Sequence, residues 1–179
     1  MKKILFAVIL GSLILPMSSL AESNKDYFGI SAEMSNIKDL TTKDTWSPYT
    51  LVFRGSSYVS DNVALEARFA AGTGPDKVRV SGTDVKGTLM YAASFFVKAD
   101  LPLNTLVNFY GLAGMTTAKV ELSALGTDFY NDNHGYSYGL GAEIPINKYM
   151  LINGEYVNYF KGEDFEYSGF NIGFTKLWQ

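Results

Sequence analysis

The sequence has 179 residues, a formal net charge of −3, no cysteine, one histidine and 15% aromatic residues. Mild acidity argues against a nucleic-acid partner. The absence of cysteine excludes a disulfide scaffold, a thiolate nucleophile and a cysteine-ligated metal.

The chain opens MKKILFAVILGSLILPMSSLA. Lys2 and Lys3 form a basic head, an uncharged apolar run extends from Ile4 to about Leu15, and Pro16, Ser18 and Ser19 follow, the last of them opening Ser-Leu-Ala. That order predicts a secretory signal cut after Ala21, and the run is short for a transmembrane anchor. Residues 1–21 are therefore set aside, and residues 22–179 are read as one domain. Beyond residue 21 no stretch is apolar and long enough to cross a bilayer as a helix. A membrane span must then be a closed barrel, which alone satisfies every strand's backbone.

Period-two alternation predicts the strands. YFGISAEMS puts Phe28, Ile30, Ala32 and Met34 on one face and Gly29, Ser31 and Glu33 on the other. YTLVFRGSSYV opposes Tyr49, Leu51 and Phe53 to Val52, Arg54 and Ser56. After an Asp-Asn turn at 60–62, VALEARFAA opposes Val63, Leu65, Ala67 and Phe69 to Glu66 and Arg68. TLMYAASFFVKAD opposes Leu89, Tyr91, Ala93, Phe95 and Val97 to Met90, Ser94, Phe96 and Lys98. Pro102 ends that pairing. LVNFYGLAGMTT is apolar on both faces, and Asn108 and Thr116 assign Phe109, Ala113 and Met115 to the outside. YSYGLGAEIPI opposes Tyr136, Tyr138, Leu140, Ala142 and Ile144 to Ser137, Gly139, Gly141 and Glu143. YMLINGEYVNYF opposes Met150, Ile152 and Tyr156 to Asn153 and Glu155. The last strand opposes Phe170, Ile172, Phe174 and Trp178 to Asn171, Gly173 and Thr175.

These segments make eight strands. Connections near 60–62, 100–105 and 145–148 are short, whereas 36–48, 73–86, 117–134 and 161–166 are longer or more polar. Long and short connections alternate, starting with a long one. An eight-stranded outer-membrane barrel with both termini inside requires this order: four external loops and three periplasmic turns.

The strand-borne charges are Glu33, Arg54, Glu66, Arg68, Lys98, Glu143 and Glu155, and every one lies opposite the apolar face. In a membrane barrel these seven face the lumen, and an eight-stranded lumen is narrow enough for side chains to fill. The 60–62 turn brings Arg54 beside Arg68 and diagonal to Glu66. The two arginines need carboxylates, with Glu66, Glu33 and Glu155 as candidates, so a connected ion-pair network is expected. Glycines 29, 139, 141 and 173 on the inner face make room for it. The opposite face gives a lipid-facing aromatic set of Phe28, Phe53, Phe69, Tyr91, Phe95, Tyr138, Tyr156, Phe170, Phe174 and Trp178. A soluble lipocalin-like barrel would show the same alternation, but the strand-borne charges and the Tyr and Gly content weigh against it.

The segments YSYGLGAEIPINKYMLINGEYVNYF and SGFNIGFTKLW resemble the small outer-membrane β-barrel superfamily: the OmpA transmembrane domain and the OmpX/Ail and opacity-like proteins. The resemblance implies an all-β fold, an eight-stranded antiparallel up-and-down transmembrane β-barrel in the bacterial outer membrane. It implies contact with outer-membrane lipid and lipopolysaccharide, and passage through the barrel-assembly machinery, which reads a terminal aromatic residue. Here Trp178 is penultimate. Lys176 falls on the lipid-side register, close enough to the end to snorkel to headgroups.

No catalytic, cofactor or metal site is expected. Some barrels of this kind are lipid A deacylases with a His–Ser pair. His134 and Ser137, three apart in a strand, face opposite ways. The acidic groups in NDN (131–133) and KGEDFE (161–166) read as hydrated loop faces. The expected role is structural or adhesin-like, with an extracellular protein or host-surface partner at the loops. DKVRVSGTDVKG and TAKVELSALGTDFY still alternate beyond the lipid boundary and could project as strands. A narrow porin-like channel is the alternative within the same fold.

Overall fold

In β1 (Asp26–Asp39) every second residue from Tyr27 to Ile37 is buried, and each residue between is exposed. That alternation is the building rule of the whole molecule, because a strand's side chains take opposite faces in turn. The computed structural model describes residues 26–80, 83–101, 106–124 and 127–178. The proposed signal and most of the 100–105 turn lie outside them.

The remaining strands are β2 (Thr45–Trp46), β3 (Tyr49–Ser60), β4 (Val63–Gly72), β5 (Asp76–Val80), β6 (Thr83–Leu101), β7 (Asn108–Ala124), β8 (Thr127–Asn147), β9 (Met150–Lys161) and β10 (Phe165–Trp178). Eight of them form the wall, in the order β1-β3-β4-β6-β7-β8-β9-β10. β10 then pairs antiparallel with β1, from Asp26 opposite Trp178 to Asp39 opposite Phe165. The sheet is a closed eight-stranded antiparallel barrel. Closure removes the edges of the wall, so every stave is hydrogen-bonded on both sides along its shared length.

The two short strands lie at the end away from the termini. β2 pairs with the top of β1, and β5 pairs with the top of β6. β6, β7 and β8 have 19, 17 and 21 residues, against 12 and 10 for β3 and β4. The excess length, with β5, makes a four-stranded sheet that continues the wall upward. DKVRVSGTDVKG and TAKVELSALGTDFY supply it.

Two expectations are corrected. Leu89 is fully buried and Met90 is 41% exposed, the reverse of the alternation. A β-bulge between Leu89 and Tyr91, opposite Val120 and Lys119, inserts one residue and shifts the parity. The 161–166 connection is a tight turn, not a long loop: β9 runs to Lys161 and β10 starts at Phe165, with the Gly162 amide donating to the Phe165 carbonyl at 3.0 Å.

Candidate functional site

The barrel interior is stacked in layers. Nearest the termini, Lys98 Nζ donates to both oxygens of Glu143 at 2.9 and 3.0 Å. It lies 3.2 Å from Asp100, which accepts from Tyr58 OH at 2.5 Å. The ammonium also faces the Tyr110 ring at 4.5 Å and the Tyr27 ring at 5.1 Å. Glu143 is brought here by β8 and Lys98 by β6, two staves apart with β7 between.

The middle layer is built on Glu155. Arg68 grips it with two nitrogens, one at 3.0 Å, and Arg54 Nη1 reaches it at 3.3 Å. Tyr110 OH donates to the same carboxylate at 2.6 Å. Arg68 Nε donates to Glu66 at 2.6 Å, and Glu66 accepts from Tyr27 OH as well. The Arg68 guanidinium lies 4.8 Å from the Phe96 ring centre. Two cations and two carboxylates cancel, and multiple hydrogen bonds offset the desolvation of charges removed from water.

Above it sits Glu33. Expected beside the arginines, it takes no cation among the described residues. Its carboxylate accepts from Ser35 at 2.7 Å, Tyr167 at 2.6 Å, Asn171 at 2.9 Å and Tyr159. The reason is height. Glu33 is two inward positions above Gly29, whose register partner is Arg54, so neutral donors of β9 and β10 reach it first. Gly169 leaves the space the Glu33 carboxylate occupies; a Cβ there would collide with it.

The far end is closed by an apolar plug including Ile37, Leu89, Val120, Phe160 and Phe165. Trp46 drops onto it from β2. Its ring fills the space left by Gly87, and its indole nitrogen donates to the Val85 carbonyl at 3.4 Å.

The structure therefore places all seven named charged residues inside and buries them. Asp100 joins the Lys98 layer, and Tyr27, Tyr58, Tyr110, Tyr159 and Tyr167 bind the carboxylates. Sequence reasoning missed these apart from Tyr58, which shares the inward parity of Arg54 and Ser56 and was expected in the lumen. Tyr27 and Tyr167 share the inward parity of Gly29 and Asn171 and were legible. Tyr159 likewise shares the inward parity of Glu155, and only at Phe160, past the register shift, is alternation broken. The ten named aromatics, Phe28, Phe53, Phe69, Tyr91, Phe95, Tyr138, Tyr156, Phe170, Phe174 and Trp178, all lie exposed on the outer face. His134 is exposed, whereas Ser137 is buried and donates to the Tyr159 carbonyl at 2.5 Å, so they form no relay.

A barrel with charge inside and exposed Phe, Ile and Tyr outside is inverted relative to a water-soluble one. A family model described as "Outer membrane protein beta-barrel domain" matches residues 7–175. The chain belongs to this outer-membrane β-barrel family. It is thus a bacterial outer-membrane protein whose apolar face meets lipid. Solved barrels share its fold. Ail, the attachment invasion locus protein of Yersinia pestis, is 16% identical with a TM-score of 0.65, over 87% of this chain and 99% of that one. Neisserial surface protein A is 11% identical with a TM-score of 0.66, over 86% and 99%. OprG from Pseudomonas aeruginosa is 15% identical with a TM-score of 0.58, over 89% and 98%. No sequence among curated proteins matches. In this family the short turns face the periplasm and the longer connections the exterior. The β5–β8 extension and the Trp46 plug are therefore extracellular.

Proposed function

We propose that this barrel is a surface-interaction protein: a filled, structurally rigid stave wall that presents the β5–β8 sheet to partners outside the cell. The observation that carries the reading is an open strand edge. β8 pairs with β9 only from Tyr138 onward, while it pairs with β7 up to Thr127. From Thr127 to Asp132 one side of β8 has no neighbouring strand among the described residues. Unpaired backbone groups on such an edge are a template for strand addition.

A conducting pore is disfavoured by the interior. Arg54, Phe96, Lys98, Tyr110, Tyr159 and Phe160 are each fully or almost fully buried across the lumen. The separation of His134 from Ser137 supports a non-enzymatic role. The Ail barrel has been crystallised with the heparin analogue sucrose octasulfate, which supports an external binding role for barrels of this shape. A sulfated ligand does not suit this chain, because acids dominate around its open edge. Lipopolysaccharide and phospholipid cover the apolar face, the assembly machinery inserts the barrel, and residues 1–21 direct export and are removed.

The test deletes both hairpin tips, residues 76–86 and 118–133, replacing each with a short turn. Bacteria displaying the two proteins are compared for retention on serum-protein-coated surfaces and for cell–cell aggregation. Loss of retention or aggregation, with heat-modifiable mobility intact, supports the reading. Unchanged behaviour in both assays overturns it.

A further inference from the structure

The open β8 edge lies beside a slot in the barrel mouth. The slot is narrow, about 20 Å³, and its walls include Ile37, Trp46, Val120 and Phe165. Asp39 and Asp164 stand at its rim. Both carboxylates are only lightly engaged. Asp39 Oδ1 accepts the Thr41 and Thr42 amides at 2.7 and 2.8 Å. Asp164 Oδ2 accepts from Asn131 Nδ2 at 3.1 Å, an exposed bond that spans the gap between β8 and the β9–β10 turn.

Register fixes what an added strand would meet. Asn131 is opposite Val120 and Phe129 is opposite Leu122, and Val120 and Leu122 line the slot. The inward side of the edge is therefore Phe129 and Asn131, and the outward side is Asp128, Tyr130 and Asp132. A strand laid along this edge sends alternate side chains into the slot and the others past Asp128 and Asp132. Both sets meet acid. Around the edge stand Glu121, Asp128, Asp132, Glu163 and Asp164, against Lys119 and Lys161 on the neighbouring strands and Lys86 beyond β7 in the row of Asp128. Lys119 is already 3.8 Å from Asp132. An apolar throat with carboxylates at its rim suits a long aliphatic stem ending in a cation.

Resting on the surface-interaction reading above, we propose that the mouth binds an extended cationic polypeptide segment, which adds to β8 at Thr127–Asp132 and inserts a lysine or arginine side chain between Asp39 and Asp164. The incoming backbone replaces the Asn131–Asp164 hydrogen bond. Asp164 is then free to take the cation.

The experiment uses the full barrel in lipid nanodiscs and capped octapeptides of alternating lysine and threonine. The Lys–Thr peptide binds in preference to its Glu–Thr counterpart. Asp39→Asn keeps the turn-capping oxygen, and with Asp164→Asn it weakens binding by about fivefold or more, the scale of lost exposed ion pairs. Asn131→Ala tightens binding, because the competing latch is gone. Two peptides N-methylated on alternate amides in opposite phase differ: one retains affinity and the other loses it. Equal binding by the Lys–Thr and Glu–Thr peptides, no binding of either, or equal affinity in the two methylation phases overturns the proposal. If hairpin deletion abolishes cell retention while the Lys–Thr peptide is not selected, this inference falls and the surface-interaction reading stands. If deletion changes nothing on cells, that reading falls, whatever the peptide does.

Discussion

Arg54 and Arg68 stand directly opposite each other on β3 and β4, and both reach Glu155, which β9 delivers from the other side of the lumen. The two arginines are not equivalent. Arg68 makes hydrogen bonds to two carboxylates, while Arg54 makes one, at 3.3 Å. Its Nε and Nη2 have no hydrogen-bond partner among the described residues. Removing Glu155 leaves Arg54 without a carboxylate and Arg68 with Glu66 alone. Glu155→Ala is therefore expected to destabilise the barrel by about 3–5 kcal/mol. Arg68→Met should cost a similar amount, since it leaves Glu66 without a cation and Glu155 with only the 3.3 Å contact to Arg54 and the Tyr110 hydroxyl, and Arg54→Met should cost much less. Urea unfolding in lipid vesicles measures all three, and an Arg54→Met loss equal to that of Arg68→Met would refute the asymmetry.

The Lys98–Glu143 pair should behave as a unit. Each single substitution, Lys98→Met or Glu143→Gln, leaves a buried group without its main partner, whereas the double substitution removes both. The cycle should give a coupling energy of about 0.5–3 kcal/mol. Additive effects would mean that Asp100 and the surrounding tyrosines carry Lys98 alone.

Glycine positions separate space-making from bystander roles. A Cβ at Gly141 would run into the Tyr110 ring, and one at Gly29 into the Arg54 side chain at 2.7 Å. Gly141→Ala and Gly29→Ala should each destabilise by about 1–3 kcal/mol through overpacking. Gly154 has nothing within 4 Å of its added Cβ, so Gly154→Ala should stay within about 0.5 kcal/mol of the parent. The temperature at which the unboiled gel band disappears should rank them in that order.

Trp46 seals the extracellular end from a strand of two residues. Trp46→Ala removes a buried ring and should cost about 3–5 kcal/mol locally. The closed wall below does not depend on β2. Heat-modifiable mobility should therefore persist, while amide exchange at Ile37 and Trp46 and proteolysis at Lys43 rise. Loss of mobility shift would show that the plug stabilises the wall itself.

His134→Ala should leave stability unchanged because the side chain is exposed. Ser137→Ala should cost about 1–2 kcal/mol, since it removes the donor to the Tyr159 carbonyl and the partner of Thr116. Mass spectrometry of lipid A from expressing cells should show no acyl loss. Deacylation that vanishes in either variant would overturn the non-enzymatic reading.

The sequence by itself determined the inside and the outside. Phe28, Ile30 and Met34 against Ser31 and Glu33 divide a strand into two faces, because its period of two fixes each side chain's face. The seven strand-borne charges, all on the face opposite the apolar one, together with the loop order, favoured turning the charged face to the lumen. The same parity gave the inward position of each strand-borne charge and the outward position of each named aromatic. Parity is local, so it carries no height. Which carboxylate meets which cation depends on stagger around the closed wall, and only the tertiary structure decided that Glu155 joins the arginines while Glu33 meets hydroxyls and an amide. The bulge at Leu89–Tyr91 was likewise hidden, since one inserted residue reverses parity and leaves no compositional mark. The open β8 edge and the slot beside it arise from unequal strand lengths meeting at the rim, a relation among distant segments that no single segment contains.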